Sequence, residues 1–231
     1  MSGARTRGQM SQSLAVGLIL AFSGGLMDAY TYIFRGGVFA NAQTGNIILM
    51  GIHALEGSFS ESIRYLSPIL SFALGVFLAQ AMRLGFPGRR RFHWRQACAL
   101  IEMAVMLLVG FMGQEMNLVA NSLVSLACGI QVQSFQKVRG RAIATTMCIG
   151  NLRTATEHLA NAVKDRNGAL LRASGFYYGM ILVFALGAAA GKWLVGPLGA
   201  RAIWTSAALL LAALLIMFIE EKQESSNKGG G

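Results

Sequence analysis

Residues 142–163 read AIATTMCIGNLRTATEHLANAV, and their placement decides the fold. The chain around them is 54% hydrophobic and only 13% charged, where a soluble domain carries about 25% charged residues. Yet this stretch holds Thr145, Thr146, Asn151, Arg153, Thr154, Thr156, Glu157 and His158, with few strong apolar side chains between them. An Arg or Asp at the centre of a spanning helix costs about 2.5–3.5 kcal/mol on insertion scales. A lipid-facing crossing is therefore implausible. Residues 142–163 are expected to dip into the membrane and return to the side they came from.

Outward from this stretch, apolar runs occupy 14–34, 66–84, 97–112 and 200–219. They approach the roughly 20 residues that a helix needs to cross a hydrocarbon core of about 30 Å. Continuous apolar runs exclude a transmembrane barrel, whose strands alternate apolar and polar positions. The expected fold class is all-α: a polytopic membrane protein with about six transmembrane helices plus two short re-entrant hairpins. Eight segments can be marked, at 14–34, 39–55, 63–84, 95–112, 118–136, 142–163, 173–195 and 200–219. The connections are too short for a soluble domain. Residues 1–13 read as a cytoplasmic tail and 220–231 as a disordered polar one. Arg5 and Arg7 ahead of 14–22 could pass for a signal peptide. Cleavage near Ser23 would remove part of the repeat described next, so 14–34 is read as the first span.

The chain matches itself at a shift of 105 positions: Gly24 falls on Gly129, Gly45-Asn46 on Gly150-Asn151, and His53 on His158. Arg35-Gly36 lies one position out of step with Gly140-Arg141. At a slightly longer shift Gly75-x-x-x-Ala79 meets Gly187-x-x-x-Gly191, spacings of small residues that let helices pack closely in lipid. Two membrane repeats are expected, 14–113 and 114–219. If 39–55 and 142–163 both re-enter, each repeat crosses three times and the second is inverted. With the N-terminus in the cytoplasm, Arg5, Arg7, Arg83, Arg89, Arg90, Arg91, Arg95, Lys137, Arg139, Arg141, Lys164, Arg166 and Arg172 fall inside. Only Arg35, Arg64, Lys192 and Arg201 fall outside or near that face. This obeys the positive-inside rule and puts both termini in the cytoplasm. The net charge of +10 is then an orientation signal, not a nucleic-acid footprint.

Inverted repeats with broken helices place a substrate site near the midplane where the repeats meet. A half-helix starting there aims free N–H groups and a partial positive charge into the cavity. Gln43-Thr44-Gly45-Asn46 and Ile149-Gly150-Asn151 fit as two such starts. Thr44, Gly45, Asn46, Gly150 and Asn151 are thus candidate substrate-binding residues; alternatively the Gly-Asn pairs only pack and cap a hairpin turn. Asp28 is the only carboxylate in the first span, its repeat partner being Gln133. It is a candidate for proton or cation coupling, or for a structural bond to a backbone N–H or to Arg153. Arg153 could hold an anion at the half-helix start, or pair with Glu157 one turn on. His53 and His158 are possible relay residues, with two interfacial histidines as the plainer reading. Glu102 reads as a snorkelling or helix-pairing residue. Cys98, Cys128 and Cys148 have no metal or disulfide spacing and read as small apolar residues. No metal site, catalytic pair or cofactor-cradling loop is expected.

Residues 23–29, SGGLMDA, followed by 36–46, GGVFANAQTGN, resemble the bacterial YoaK family, which shows Gly-x-x-Asp-Ala, then a Gly-rich stretch and Met-Thr-Gly-Asn. Gly129-Ile130-Gln131 and residues 145–151, TTMCIGN, are similar to that family's second-half motifs. Departures are Gln43 where Met is usual, Val132 where Asn commonly follows Gln131, and Ile149 where Thr is usual. The last tells against identical binding at the two half-sites. The resemblance implies a bacterial inner-membrane protein with about six spans, and no substrate or activity.

The function expected is a small secondary transporter or permease for a small polar or anionic solute. Its partners are the lipid bilayer, the solute and a second copy of the chain, packed through Gly187-x-x-x-Gly191 or a similar face, with no nucleic acid and no cofactor. The alternative is a non-transporting scaffold whose polar hairpins pack internally. An enzyme is not expected.

Overall fold

A computed structural model describes residues 13–85 and 94–229. The tail bearing Arg5 and Arg7 and the Arg89, Arg90, Arg91 cluster lie outside the described residues. Among the described residues eight α-helices follow in order: α1 (Leu14–Phe34), α2 (Gln43–Leu55), α3 (Phe59–Gly85), α4 (Trp94–Val109), α5 (Asn117–Ser134), α6 (Cys148–Asp165), α7 (Gly168–Leu198) and α8 (Trp204–Gly229). A two-stranded hairpin, β1 (Lys137–Val138) with β2 (Arg141–Ala142), follows α5.

The helix ends follow local chemistry. The Ser13 hydroxyl accepts from the Val16 N–H and starts α1. Arg166 in the left-handed region closes α6, and the Asn167 side-chain Oδ1 accepts from the Ala169 N–H at 2.9 Å to open α7. Gly36, at φ +88°, takes the conformation that turns the chain back after α1. The predicted segments 39–55 and 142–163 each begin with non-helical residues, because α2 starts at Gln43 and α6 at Cys148. α8 runs on to Gly229, where the polar composition suggests a disordered tail; residues 220–224, EEKQE, are good helix formers and prolong it.

Among the described residues three stretches are long and apolar enough to cross a membrane: Leu14–Phe34, Phe59–Gly85 and Gly168–Ile219, the last running from α7 into α8. Along α3 the side chains of Leu66, Leu70, Leu74 and Phe77 remain exposed, an apolar face suited to lipid. This is a helical, membrane-type protein.

Contacts along the helices give their directions. Leu18 and Ala21 near the start of α1 pack with Tyr177 and Met180 of α7, and Tyr30 near its end reaches the Ala200 carbonyl. α1 and α7 therefore run parallel. Ser67 meets Ser122 at 2.6 Å and Gln80 meets Gln133 at 2.7 Å, so α3 and α5 are parallel too. Gln131 bonds the Leu20 carbonyl and Asn121 the Arg35 carbonyl, which sets α5 antiparallel to α1. α4 packs on α5 and α8, α2 on α3, and α6 on α7.

Glycines make the two long contacts possible. A Cβ on Gly25 would overlap the Phe184 carbonyl, and one on Gly187 the Phe22 carbonyl. In the other pair, Gly75 sits on the Leu126 carbonyl and Gly129 on the Phe72 carbonyl. Gly187 and Gly191 are thereby covered by α1, so the face expected to join two copies is consumed within one chain. Arg35, expected near the outer surface, is instead fully buried. Its guanidinium donates to the Val109, Met112 and Gly113 carbonyls at the end of α4 and to the Tyr30 hydroxyl. The Val109 and Gly113 carbonyls also accept the Met112 and Met116 N–H groups, and a cation suits that end of the helix dipole.

Candidate functional site

Gly24 is the central residue of α1, and both loops that lead into the short helices reach it. From the first loop, Asn41 donates its side-chain Nδ2 to the Gly24 carbonyl at 3.2 Å and its backbone N–H to Asp28 Oδ1 at 2.7 Å. The backbone N–H groups of Ala40 and Ala42 also turn toward that carboxylate. Asp28 thus serves as the anion at the start of α2, which has no side-chain cap of its own. From the second loop, the Thr146 side chain and the Thr145 carbonyl lie against Gly24. Gln131 of α5 donates to the Thr145 hydroxyl and to the Leu20 carbonyl, both at 3.3 Å. Cys148, the first residue of α6, lies within electrostatic reach of Asp28. α6 also begins without a side-chain cap.

The two asparagines of the Gly-Asn pairs bond to their own loops. Asn46 donates to the Phe39 carbonyl at 2.7 Å and accepts from the Phe39 N–H at 3.1 Å. Asn151 does the same to Ala144, at 2.7 and 3.4 Å. Each amide closes its own loop, which is the capping role. Asn46 and Asn151 are buried, Gly45 is half-buried, and Thr44, Gly150 and Arg153 are exposed. Of the sequence candidates, only Asp28 sits in the cluster at Gly24. The expected Arg153–Glu157 pair does not form; the ion pairs among the described residues join His53 to Glu56 and Arg64 to Glu61.

His53 stacks on Tyr65 at 5.6 Å and His158 lies tilted against Tyr177 at 5.9 Å, each beside a tyrosine of the next helix. Neither reaches Asp28 by a hydrogen bond. Glu102 does not snorkel: it is 1% exposed, and its Oε1 has no hydrogen-bond partner among the described residues. Asn41, Gln131, Thr145 and Thr146 were not among the site residues expected from the sequence. Their signal was present, since all four lie beside the Gly-Asn motifs or the Gly-x-Gln motif, but single polar residues in loops carry no periodicity.

A family model described as a protein of unknown function, DUF1275, matches residues 16–216. No curated protein and no solved structure matches the chain. The matched region runs from α1 into α8 and includes every residue of the cluster at Gly24. This chain belongs to the DUF1275 family.

Proposed function

We propose that this chain is a small secondary transporter or permease of the bacterial inner membrane, with a site midway through the membrane between two inverted halves. Within its family it reads as YoaK-like, on the Asp28 and Thr-Gly-Asn motifs. In this reading α1, α3, α4, α5, α7 and α8 cross the bilayer, α2 and α6 are re-entrant, and both termini are cytoplasmic. The solute is small and polar or anionic, and no catalytic step is involved. A homodimer is proposed through a face other than Gly187-x-x-x-Gly191.

The observation that carries it is that both loops reach the centre of α1, after which each short helix runs back toward the end its loop came from. α1 and α3 lie in opposite directions, so α2 joins two helices at the same face; α6 does the same between α5 and α7. Irregular backbone at that depth is tolerated only where protein or a water-filled cavity satisfies it. Recurring contacts support the duplication. Ser62 bonds the Met50 carbonyl in the first half and Ser174 bonds the Ala155 carbonyl in the second. The Asn–loop and His–Tyr pairs recur in the same order. An anionic solute group has an attractive place at the start of α6, because the start of α2 already faces Asp28.

The test is the sidedness of Asn167 between α6 and α7. In a cysteine-free background, Asn167→Cys is expected to resist an impermeant thiol reagent on intact cells and react in opened ones. Labelling from outside would make α6 a full crossing and remove the basis for a midplane site. One observation favours a second reading, a non-transporting scaffold: the Asn46 and Asn151 amides are both spent on their own loops. A solute panel that never raises the melting temperature, together with uptake unchanged by Asp28→Asn, would select that reading.

A further inference from the structure

We propose that Asp28, Asn41, Gln131 and Thr146 form a binding site for a monovalent alkali cation at the centre of α1. This deepens the transport reading and rests on it for its purpose, by naming the coupling ion. Leu20, Gly24 and Asp28 lie at successive turns of α1 and share one face. Three side chains from three other segments meet that face. Gln131 is held by the Leu20 carbonyl, Asn41 by the Gly24 carbonyl and by Asp28, and Thr146 packs against Gly24.

The orientation of the amides decides what is left over. A backbone carbonyl accepts only from a donor, so Asn41 presents Nδ2 and Gln131 presents Nε2 to α1. Their oxygens are then the unused ends. Asn41 Oδ1, Gln131 Oε1 and Thr146 Oγ1 are all buried and have no hydrogen-bond partner among the described residues. The residues are 2%, 0% and 2% exposed, so bulk water cannot serve these atoms.

Beside them stands a carboxylate with no cationic partner: Arg35 is turned to the end of α4, and neither ion pair among the described residues includes Asp28. One negative charge and three neutral oxygens form a ligand set for a positive ion. An anion would meet only acceptors and like charge. A divalent ion is a poor match, because calcium sites gather six to eight oxygens and magnesium keeps much of its water. A soft transition metal is disfavoured too, since no group of three His, Cys, Asp or Glu lies together among the described residues. A single positive charge balances Asp28, and broken helices are where such ions bind in membrane proteins.

The experiment follows melting of the purified full-length protein in detergent, without solute, at fixed pH and ionic strength. Sodium, potassium and lithium chloride are compared with choline chloride. At least one alkali ion is expected to raise the melting temperature saturably above choline, as ligand binding to the folded state requires. Thr146→Val, which keeps the shape and removes one oxygen, is expected to weaken the midpoint about tenfold, the effect of losing about 1.4 kcal/mol of binding. Asp28→Asn is expected to abolish the shift. Identical melting in all four salts would overturn the site, as would a shift that both variants retain. If Asp28→Asn fails to fold, the salt series and Thr146→Val still decide. Because no solute is present, a positive result stands even if no solute is ever carried, and a negative one leaves the transport reading to its own test.

Discussion

Asn46 and Asn151 show how a side chain suited to binding can be diverted by its own loop. Each amide matches a backbone N–H and C=O seven residues earlier, and once both are bonded the side chain has little left for a ligand. Removing Asn46 breaks three hydrogen bonds, one of them to Gln43 Oε1, and removing Asn151 breaks two; either strands two backbone groups in a region expected to be shielded from water. Asn46→Ala or Asn151→Ala should destabilise the protein by about 2–3 kcal/mol, read from unfolding in mixed micelles. A loss of uptake with stability unchanged would contradict the capping role and restore these residues to the substrate site. Asp28 differs because its carboxylate reaches a neighbouring loop, so it joins hairpin to helix.

At the level of helices, the close contacts decide which small residues matter. Gly25 and Gly75 lie directly on carbonyls of a partner helix, whereas Gly150 and Gly179 have nothing within 4 Å of where a Cβ would stand. Gly25→Ala or Gly75→Ala should force the helices apart and cost about 1–3 kcal/mol. Gly150→Ala and Gly179→Ala should be neutral or stabilising by up to about 1 kcal/mol, since alanine favours the helix. Thermal unfolding of the four variants side by side checks this, and equal losses in both pairs would mean that the glycines act through helix propensity rather than contact. The same contacts adjust the repeat. The sequence shift of 105 sets Gly24 on Gly129, yet the glycine that packs like Gly129 is Gly25. Asp28 then corresponds to Val132 rather than Gln133, and the second half has no polar group at that place.

For the whole molecule, the consequential feature of the proposed topology is that the loops before α2 and α6 enter from opposite faces and meet at one level. Ser58 lies between α2 and α3, which the proposed topology puts at the face opposite Asn167. A cysteine in place of Ser58 should therefore label from outside on intact cells, where Asn167→Cys is protected. Labelling of both positions from the same side would make the halves parallel and separate the two loops across the membrane. The cluster at Gly24 could not then lie between inverted halves.

Composition and hydropathy alone were enough for a membrane-type helical chain, because desolvating a helix depends on what it contains and little on its neighbours. The bounds of α1 were legible for the same reason, from the apolar run over 14–34. The glycine pattern also announced close helix packing, but not its partner: Gly187 and Gly191 would suit a second copy as well as they suit α1. What only the tertiary structure decided was the use of each polar atom. Whether an amide caps a loop or faces a neighbour depends on which carbonyl folds within about 3 Å of it, and sequence spacing does not encode that distance across helices. Asn46 and Asn151 therefore became caps. Asn41, Gln131 and Thr146, inconspicuous in the sequence, became the buried oxygens around the centre of α1, because three separate segments had to come together before those atoms could share a site.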